Sequence, residues 1–424
     1  MLSNQSKTLL SVNRPCAVHP ARLLLGSVLP LPSPRERLAR ERGTRRMPDQ
    51  TKYALISHES AIDAIWSLAA RGWRGLYDDE GMWLVPAPEH CVKNQRELQR
   101  LAAEVDLAAL GLDRTPLDLL VPDKSCHSRG KLARFHVWSG FFPPRSFVRV
   151  HDRIFVSTPY FAVLQLASAR RTNRLSQMDA AALEQEELRI RRGLGLEMRP
   201  PTAAELLRWD NIARFVRAVQ VLSDFSGTYR LVPGGEPRYE TKPIMSPSSF
   251  HDYLLDMGAS KGIERAREVA GAAFEGSASP METMLALMLS LPVEMGGFGL
   301  PRPELNAEVP VDPMLRELCS GDTFFADLSW PSCLVEYYGW KEHMGMGPKK
   351  VGVDAARANS LVALGHTVLH VTFEQIRTCD GISLLARQVA HALGVQLQQP
   401  TELERIWRSR LLAMLLPQEE RTGW

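Results

Sequence analysis

Two short apolar segments near the C-terminus each carry one acidic residue, and they constrain the fold more than any other feature of the sequence. Asp327 lies within residues 324–330 and Glu336 lies within residues 333–339, with Pro331-Ser332 between the two segments. Apolar runs of this length on either side of a turn are typical of adjacent antiparallel strands. We therefore predict a β-hairpin that brings both carboxylates together at one end.

The chemistry of two neighbouring carboxylates predicts a metal site. A carboxylate in an apolar strand is strongly unfavourable unless it is paired, hydrogen-bonded or bound to a metal. Oxygen ligands of this kind suit Mg²⁺ or Mn²⁺, so Asp327 and Glu336 are the predicted ligands. The alternatives are that Asp327 holds a turn and that Glu336 forms a structural ion pair with Lys349, Lys350 or Arg357.

The residues around the hairpin predict an ordered set of elements. Residues 279–282 (Ser-Pro-Met-Glu) are typical of a helix start, because they combine an N-cap serine, a proline at the first helical position and a glutamate at the third. A helix is expected at 354–364, a β-branched strand at 367–373 and an amphipathic helix at 382–393. The predicted order is therefore helix, strand, strand, helix, strand, helix.

Several residues in this order match a known pattern: Asp327, the segment VEYYGW at 335–340, His343 and the segment DAARANSLVALGHTVLHVTFEQI at 354–376. They resemble the PD-(D/E)XK nuclease superfamily, and especially its small domains related to the very-short-patch-repair endonuclease. The resemblance covers roughly residues 277–395. It implies a mixed sheet flanked by helices, with Asp327 and Glu336 holding Mg²⁺ (or Mn²⁺) and Glu282 as an additional acidic residue of the site.

The sequence departs from that pattern at one position. The superfamily usually has lysine, or in some branches Asp or Gln, where this chain has Tyr338. Tyr338 shares a strand face with Glu336, but an unperturbed phenol, with a pKa of about 10, is a poor base at neutral pH. Lys341 or His343 is expected to supply the missing role from the following loop. Helix capping alone would also explain Glu282, and we favour that role.

Composition excludes several classes of protein. Hydrophobic residues make up 45% of the chain and charged residues 23%, which is ordinary for a soluble globular protein. No apolar stretch approaches the ~18–20 residues that a membrane span needs. Six cysteines lack metal-ligand spacing, which predicts reduced thiols in a cytoplasm. The neighbours His90-Cys91 and Cys126-His127 do not favour zinc for the same reason.

The positive charge of the chain is concentrated at its N-terminus. Residues 1–46 hold nine Lys or Arg and two Glu, a net of +7, whereas the remainder has 42 basic and 46 acidic residues, a net of −4. This leader is predicted to be disordered. The leader is a basic arm that contacts nucleic acid, a poor targeting sequence, or a segment translated upstream of the real start at Met47. We favour the last alternative.

The pattern of the rest of the chain predicts an α/β protein. It has a small N-terminal α/β domain, a helical segment and the C-terminal nuclease-like domain. The strands and helices of the N-terminal domain loosely resemble AbiEi-type antitoxins. The predicted segments are 47–167 for the N-terminal α/β domain, 168–210 for an exposed, charged helical insertion, 211–276 for a helical connecting region, 277–395 for the nuclease-like domain and 396–424 for a C-terminal helical tail.

Two functions follow from these patterns. The first is a metal-dependent DNA endonuclease that hydrolyses phosphodiester bonds. The second is a non-catalytic DNA-binding protein, such as an antitoxin-like repressor, that keeps the nuclease fold, and the tyrosine at 338 favours it. DNA is the expected partner, a toxin or another protein is a further candidate, and no membrane contact is expected. A third alternative is an interaction protein without a nucleic-acid partner.

Overall fold

The computed structural model describes residues 52–72, 90–122, 130–138, 142, 145–168, 180–257, 262–338 and 348–417. The predicted leader, Lys341, His343 and Cys126-His127 lie outside these residues. The predicted α/β class is confirmed, since helices pack against two mixed sheets of five and four strands in the part described.

The N-terminal sheet has the strand order β3-β2-β1-β5-β4. Strand β1 runs antiparallel to β2 and parallel to β5, while β2 is parallel to β3 and β4 is antiparallel to β5. The first two helices of this region, α1 and α2, follow β1, and α3 follows β5 directly. The bounds are β1 Ala54–Ile56, α1 His58–Ala70, α2 Gln95–Glu104, β2 Leu117–Val121, β3 Ala133–Val137, β4 Phe147–His151, β5 Ile154–Ser157 and α3 Pro159–Ser168.

Within the described residues, four further helices follow α3 before the C-terminal region begins: α4 Ala180–Gly193, α5 Ala203–Phe225, α6 Pro247–Leu255 and α7 Ile263–Ala272. Helix α5 begins with a capping box between Thr202 and Glu205, which satisfies backbone donors at both residues. It packs against α3 and α7, so the connecting helices join the N-terminal sheet to the rest of the core.

The charged helix α4 is less solvated than its composition indicates. About half of its described side chains are exposed, but Glu187 and Arg191 are almost fully buried and form an ion pair at 2.9 Å. Arg410, far along the chain, also contacts Glu187 and donates to the carbonyl oxygen of Leu183 at 2.9 Å. The predicted solvated face therefore needs correction at these two positions, where the buried Glu187 carboxylate is the shared partner of the Arg191 and Arg410 guanidinium groups.

The C-terminal sheet has the order β6-β7-β8-β9, with β6, β7 and β8 antiparallel in turn and β9 parallel to β8. Strand β6 and the short helix α10 were not predicted. The other elements follow the predicted order, although the helix after β8 begins at Pro348 rather than near Asp354, as suits a proline in a first helical turn. The bounds are α8 Pro280–Ser290, β6 Glu304–Pro310, β7 Thr323–Trp330, β8 Cys333–Tyr338, α9 Pro348–Ala363, β9 Thr367–Thr372, α10 Phe373–Ile376, α11 Cys379–Leu393 and α12 Glu402–Leu415.

The apolar core is continuous through most of the described chain. One buried cluster includes Tyr53 before β1 and extends to Leu415 at the end of α12, and Trp407 of α12 is fully buried within it. A smaller cluster of buried side chains lies between the C-terminal sheet and α9 and contains Phe324, Leu334 and Leu361. Within the ranges given above, no helix is both long enough and apolar enough to cross a membrane.

Candidate functional site

The predicted hairpin is present and sets the position of both acidic residues. Strands β7 and β8 pair from Trp330 and Cys333 to Leu328 and Val335. Asp327 and Glu336 lie one register step beyond the last of these pairs. Because directly opposed residues of an antiparallel pair point to the same face, both side chains belong to one face of the sheet.

Asp327 joins the two strands through its side chain. Its Oδ2 accepts a hydrogen bond from the backbone N–H of Tyr337 at 2.6 Å. The carboxylate of one strand therefore binds the backbone of the other at the level of Glu336. Asp327 lies inside β7 and away from the turn at 331–332, so the predicted alternative in which it holds a turn is wrong, and the contact instead fixes its carboxylate beside Glu336.

Glu336 is buried and is bound by an arginine of α9. The Arg357 guanidinium donates to Oε2 of Glu336 at 2.8 Å and to Oε1 at 3.1 Å, a bidentate arrangement. The same guanidinium also donates to the carbonyl oxygen of Phe325 on β7. The ion pair that the sequence offered as an alternative role for Glu336 is therefore formed with Arg357, while the side chains of Lys349 and Lys350 lie outside the described part.

Glu282 brings a third carboxylate to this end of the sheet. It is the third residue of α8, where Ser279 caps the helix by accepting from the Glu282 backbone N–H at 3.2 Å. The Glu282 carboxylate accepts from the Ala278 N–H at 2.7 Å, the Ser279 hydroxyl at 2.8 Å and the Asn306 side-chain amide at 2.6 Å. The predicted capping role is confirmed, and the contact with Asn306 adds a connection to the sheet.

Asn306 links Glu282 to the strand that carries Asp327. On β6 it lies between the pairs Leu305–Leu328 and Ala307–Ala326, opposite Asp327. Its φ of 47° is left-handed, a conformation that asparagine tolerates better than most residues. This conformation accompanies the contact of its side-chain amide with Glu282 and the carbonyl oxygen of Gly276.

Two of the acids are electrostatically linked. Burial, and after it the negative charge of Asp327, raise the pKa of Glu282 to about 7 against the lowering effect of the three hydrogen bonds that Glu282 accepts. The hydrogen bonds therefore do not offset burial and the neighbouring charge. A carboxyl group in this state titrates near neutral pH and favours the approach of a cation.

Tyr338 and His370 form the edge of the same region. In the parallel pair of β8 and β9, Glu336 is in register with His370, and the rings of Tyr338 and His370 lie 5.0 Å apart between centroids. No role was predicted for His370, since only the strand register brings it to Glu336. Its signal was a single histidine within a β-branched run. The structure does not describe Lys341 and His343, so their predicted roles stay predictions.

The donor chemistry of these residues fits Mg²⁺ or Mn²⁺, with one condition. Glu282 and Asp327 offer carboxylate oxygens, and Mg²⁺ commonly takes only one or two protein carboxylates together with waters. Both oxygens of Glu336 accept from Arg357. Across the described ranges, no three His, Cys, Asp or Glu side chains are grouped so that they could hold a metal ion. Glu336 must therefore exchange Arg357 for a cation to become a ligand.

A second polar cluster lies in the N-terminal sheet. Buried Asp118 of β2 binds Arg134 at 2.9 Å and His136 Nε2 at 2.7 Å, and the His136 ring stacks on that of His58 with centroids 3.8 Å apart. Burial, together with the charges of His136 and Arg134, holds the pKa of His58 well below its usual value. These contacts explain the cluster as an internally satisfied junction between β2, β3 and α1.

Comparisons with known proteins do not assign a family to this chain. No protein-family model, no curated protein and no solved structure matches the chain.

Proposed function

We propose that the region around the C-terminal sheet is a divalent-cation-dependent phosphodiester hydrolase that acts on DNA. The observation that supports this proposal is that Asp327 and Glu336 lie opposite each other on one face of the β7–β8 hairpin. Glu282 of α8 is near enough to Asp327 for the charge of Asp327 to help raise its pKa. The same set of acids is expected from the PD-(D/E)XK resemblance.

In this proposal, Asp327 and Glu336 hold the cation and Glu282 lies behind Asp327. When bound, Mg²⁺ or Mn²⁺ supplies polarisation of a phosphoryl oxygen and a lowered pKa of a bound water. Asp327 keeps its orientation through the backbone N–H of Tyr337. Glu282, which titrates near pH 7, is suited to hold or release a proton beside Asp327.

The edge residues serve to contact the substrate. Tyr338, on the strand face of Glu336, is placed to donate a hydrogen bond to a phosphate oxygen. His370 lies beside Tyr338 on β9 and is exposed. An imidazole nitrogen can donate or accept a hydrogen bond, so His370 supplies a polar contact in a site where lysine is replaced by tyrosine.

The test is DNA cleavage by the purified protein with and without Mg²⁺ or Mn²⁺. Asp327→Asn and Glu336→Gln keep the side-chain shapes and are expected to reduce the cleavage rate by about 100-fold or more, because each removes a charge needed at the cation. Glu308→Gln on β6 is the matched control, since Glu308 is exposed on the same sheet. Equal rates in the wild type and both site variants, or cleavage that persists in EDTA, would exclude this site.

One observation favours a second candidate function. The bidentate pair between Arg357 and Glu336 is a complete structural ion pair, as expected if the fold has become a non-catalytic DNA-binding module. Such a protein binds DNA in EDTA with a strong dependence on salt and shows no cleavage. A mobility-shift experiment in EDTA, followed by the cleavage assay on the same sample, separates the two functions. A toxin or another protein partner would be sought only in the second case.

A further inference from the structure

We infer that Arg357 is an exchangeable counter-ion that couples cation binding to nucleic-acid binding. In the free protein it neutralises Glu336; on the DNA complex it binds a backbone phosphate, and Glu336 is released to the cation. This inference rests on the proposed function, because it concerns how that same site is controlled. It assigns to Arg357 a positioning role and a contact with the substrate.

The exposure of the two partners differs in the way that an exchange needs. The Glu336 side chain is only 7% exposed, whereas the Arg357 side chain is 32% exposed. The guanidinium therefore covers a buried carboxylate and still meets solvent. A phosphate that arrives from solution reaches Arg357 before it reaches Glu336.

The guanidinium suits both anions. Its planar array of N–H donors matches a carboxylate and a phosphate in the same bidentate geometry. Two of the groups it binds now are the Glu336 oxygens, and the third is the carbonyl oxygen of Phe325 on β7. A bound phosphate would replace the two hydrogen bonds to Glu336 with two chemically equivalent ones.

The helix that carries Arg357 is held in place, so the exchange requires movement of the side chain only. One turn further along α9, the Ser360 hydroxyl accepts from the Ser320 backbone N–H at 2.9 Å and donates to the Ala356 carbonyl oxygen at 2.8 Å. Leu361, next to Ser360, is buried in the smaller apolar cluster. These contacts fix the backbone beside Arg357 against the sheet.

Burial of Glu336 makes the two binding events depend on each other. A buried carboxylate that loses its partner is strongly unfavourable, so Arg357 leaves Glu336 readily only when a cation takes its place. Cation and DNA therefore each strengthen the binding of the other, and linkage requires the two effects to be equal.

The inference is tested by titrating the full-length protein with Mn²⁺ alone and counting free ion by electron paramagnetic resonance. Arg357→Gln releases Glu336 and is expected to bind Mn²⁺ about 10-fold more tightly than the wild type. Arg316→Gln is the matched control, because Arg316 is exposed and its closest acidic contact is a surface pair with Asp322 at 3.5 Å. The double variant with Glu336→Gln is expected to lose the gain.

A second measurement follows DNA affinity in saturating Mn²⁺ by fluorescence anisotropy of a short labelled duplex with a nuclease-resistant phosphorothioate backbone. Arg357→Gln is expected to reduce the salt dependence of binding by about one phosphate contact, and Arg316→Gln is not. If the substitution impairs folding, Arg357→Lys keeps the charge without the bidentate geometry and is expected to show a smaller gain in Mn²⁺ affinity.

The outcomes distinguish this inference from the proposed function. If the wild type, Arg357→Gln and Arg357→Lys have the same Mn²⁺ affinity and the same salt dependence of DNA binding, the role of Arg357 is overturned. The cation site would then still stand. Absence of Mn²⁺ binding in all of these proteins would overturn both.

Discussion

At the scale of single residues, Glu282 shows how one side chain serves a helix and a site together. Its backbone and carboxylate complete the cap of α8, and its contact with Asn306 joins the helix to β6. Burial and Asp327 nevertheless raise its pKa to about 7. The residue is therefore kept in a state that capping alone does not require, since an exposed cap would leave it ionised at neutral pH.

This raised pKa predicts how stability depends on pH. The folded-state pKa of Glu282 lies above the value of 4.5 for an isolated group. Its stabilising contribution is therefore fully present below about pH 4.5 and is lost as the pH rises through about 7. Replacing Glu282 by Gln is expected to remove this loss, so that the variant gains about 1–3 kcal/mol relative to the wild type between about pH 5 and about pH 8.

The measurement is denaturant unfolding of the wild type and Glu282→Gln at both pH values. Other groups also titrate in this range, so the quantity of interest is the difference between the two proteins. Glu308→Gln, which alters an exposed carboxylate, provides the control. If the free energy of unfolding changes with pH in the same way in the wild type and in Glu282→Gln, the raised pKa of Glu282 is contradicted.

At the scale of elements, the strand that was not predicted from the sequence is the one that organises the acids. Strand β6 reads ELNAEVP, in which Leu305, Ala307 and Val309 alternate with polar residues, so a local strand signal was present and was missed in a short edge strand that ends in proline. The hairpin of β7 and β8 was predictable because its apolar runs and turn are local signals. The contacts of Asn306 and His370 were not, since they depend on register between strands that are distant in sequence.

The left-handed conformation at Asn306 gives a test of that organisation. Asn306→Ala loses the hydrogen bonds to Glu282 and Gly276 and also places a side chain with no local compensation at a φ of 47°. Asn306→Gly loses the same hydrogen bonds without the strain. We expect losses in the free energy of unfolding of about 2 kcal/mol for alanine and about 1 kcal/mol for glycine.

Chemical denaturation of the two variants beside the wild type measures these losses. The difference between alanine and glycine reports the backbone conformation, and the loss in the glycine variant reports the side-chain contacts. Equal stability of alanine and wild type at this position would show that Asn306 does not hold β6 to α8.

At the scale of the whole molecule, the last helix ties distant parts of the described chain together. Arg410 of α12 reaches Glu187 and the Leu183 carbonyl oxygen on α4, and Arg408 donates to the Gly297 carbonyl oxygen beyond α8 at 2.9 Å. The sequence predicted both α4 and the C-terminal helix. It could not predict their buried ion pairs, because a charged helix shows which faces are polar but not which partner covers them.

Removing the central carboxylate of this junction is expected to be costly. Glu187→Ala leaves the buried guanidinium groups of Arg191 and Arg410 without that partner, for which a loss of about 3–5 kcal/mol is typical. Glu184→Ala, on an exposed position of the same helix, is expected to change stability little. Thermal and denaturant unfolding measure the stability of the two variants. Similar losses in the free energy of unfolding would show that Glu187 does not stabilise the contact between α4 and α12.

Direct binding of Mn²⁺ by the wild type, Asp327→Asn and Glu308→Gln tests most closely whether the acids of β7, β8 and α8 form a cation site. Electron paramagnetic resonance of free Mn²⁺ gives the affinity and the number of ions bound. The wild type and Glu308→Gln are expected to bind one ion with equal affinity, and Asp327→Asn to bind it at least about 10-fold more weakly. Unchanged Mn²⁺ binding in Asp327→Asn would contradict the assignment of this site.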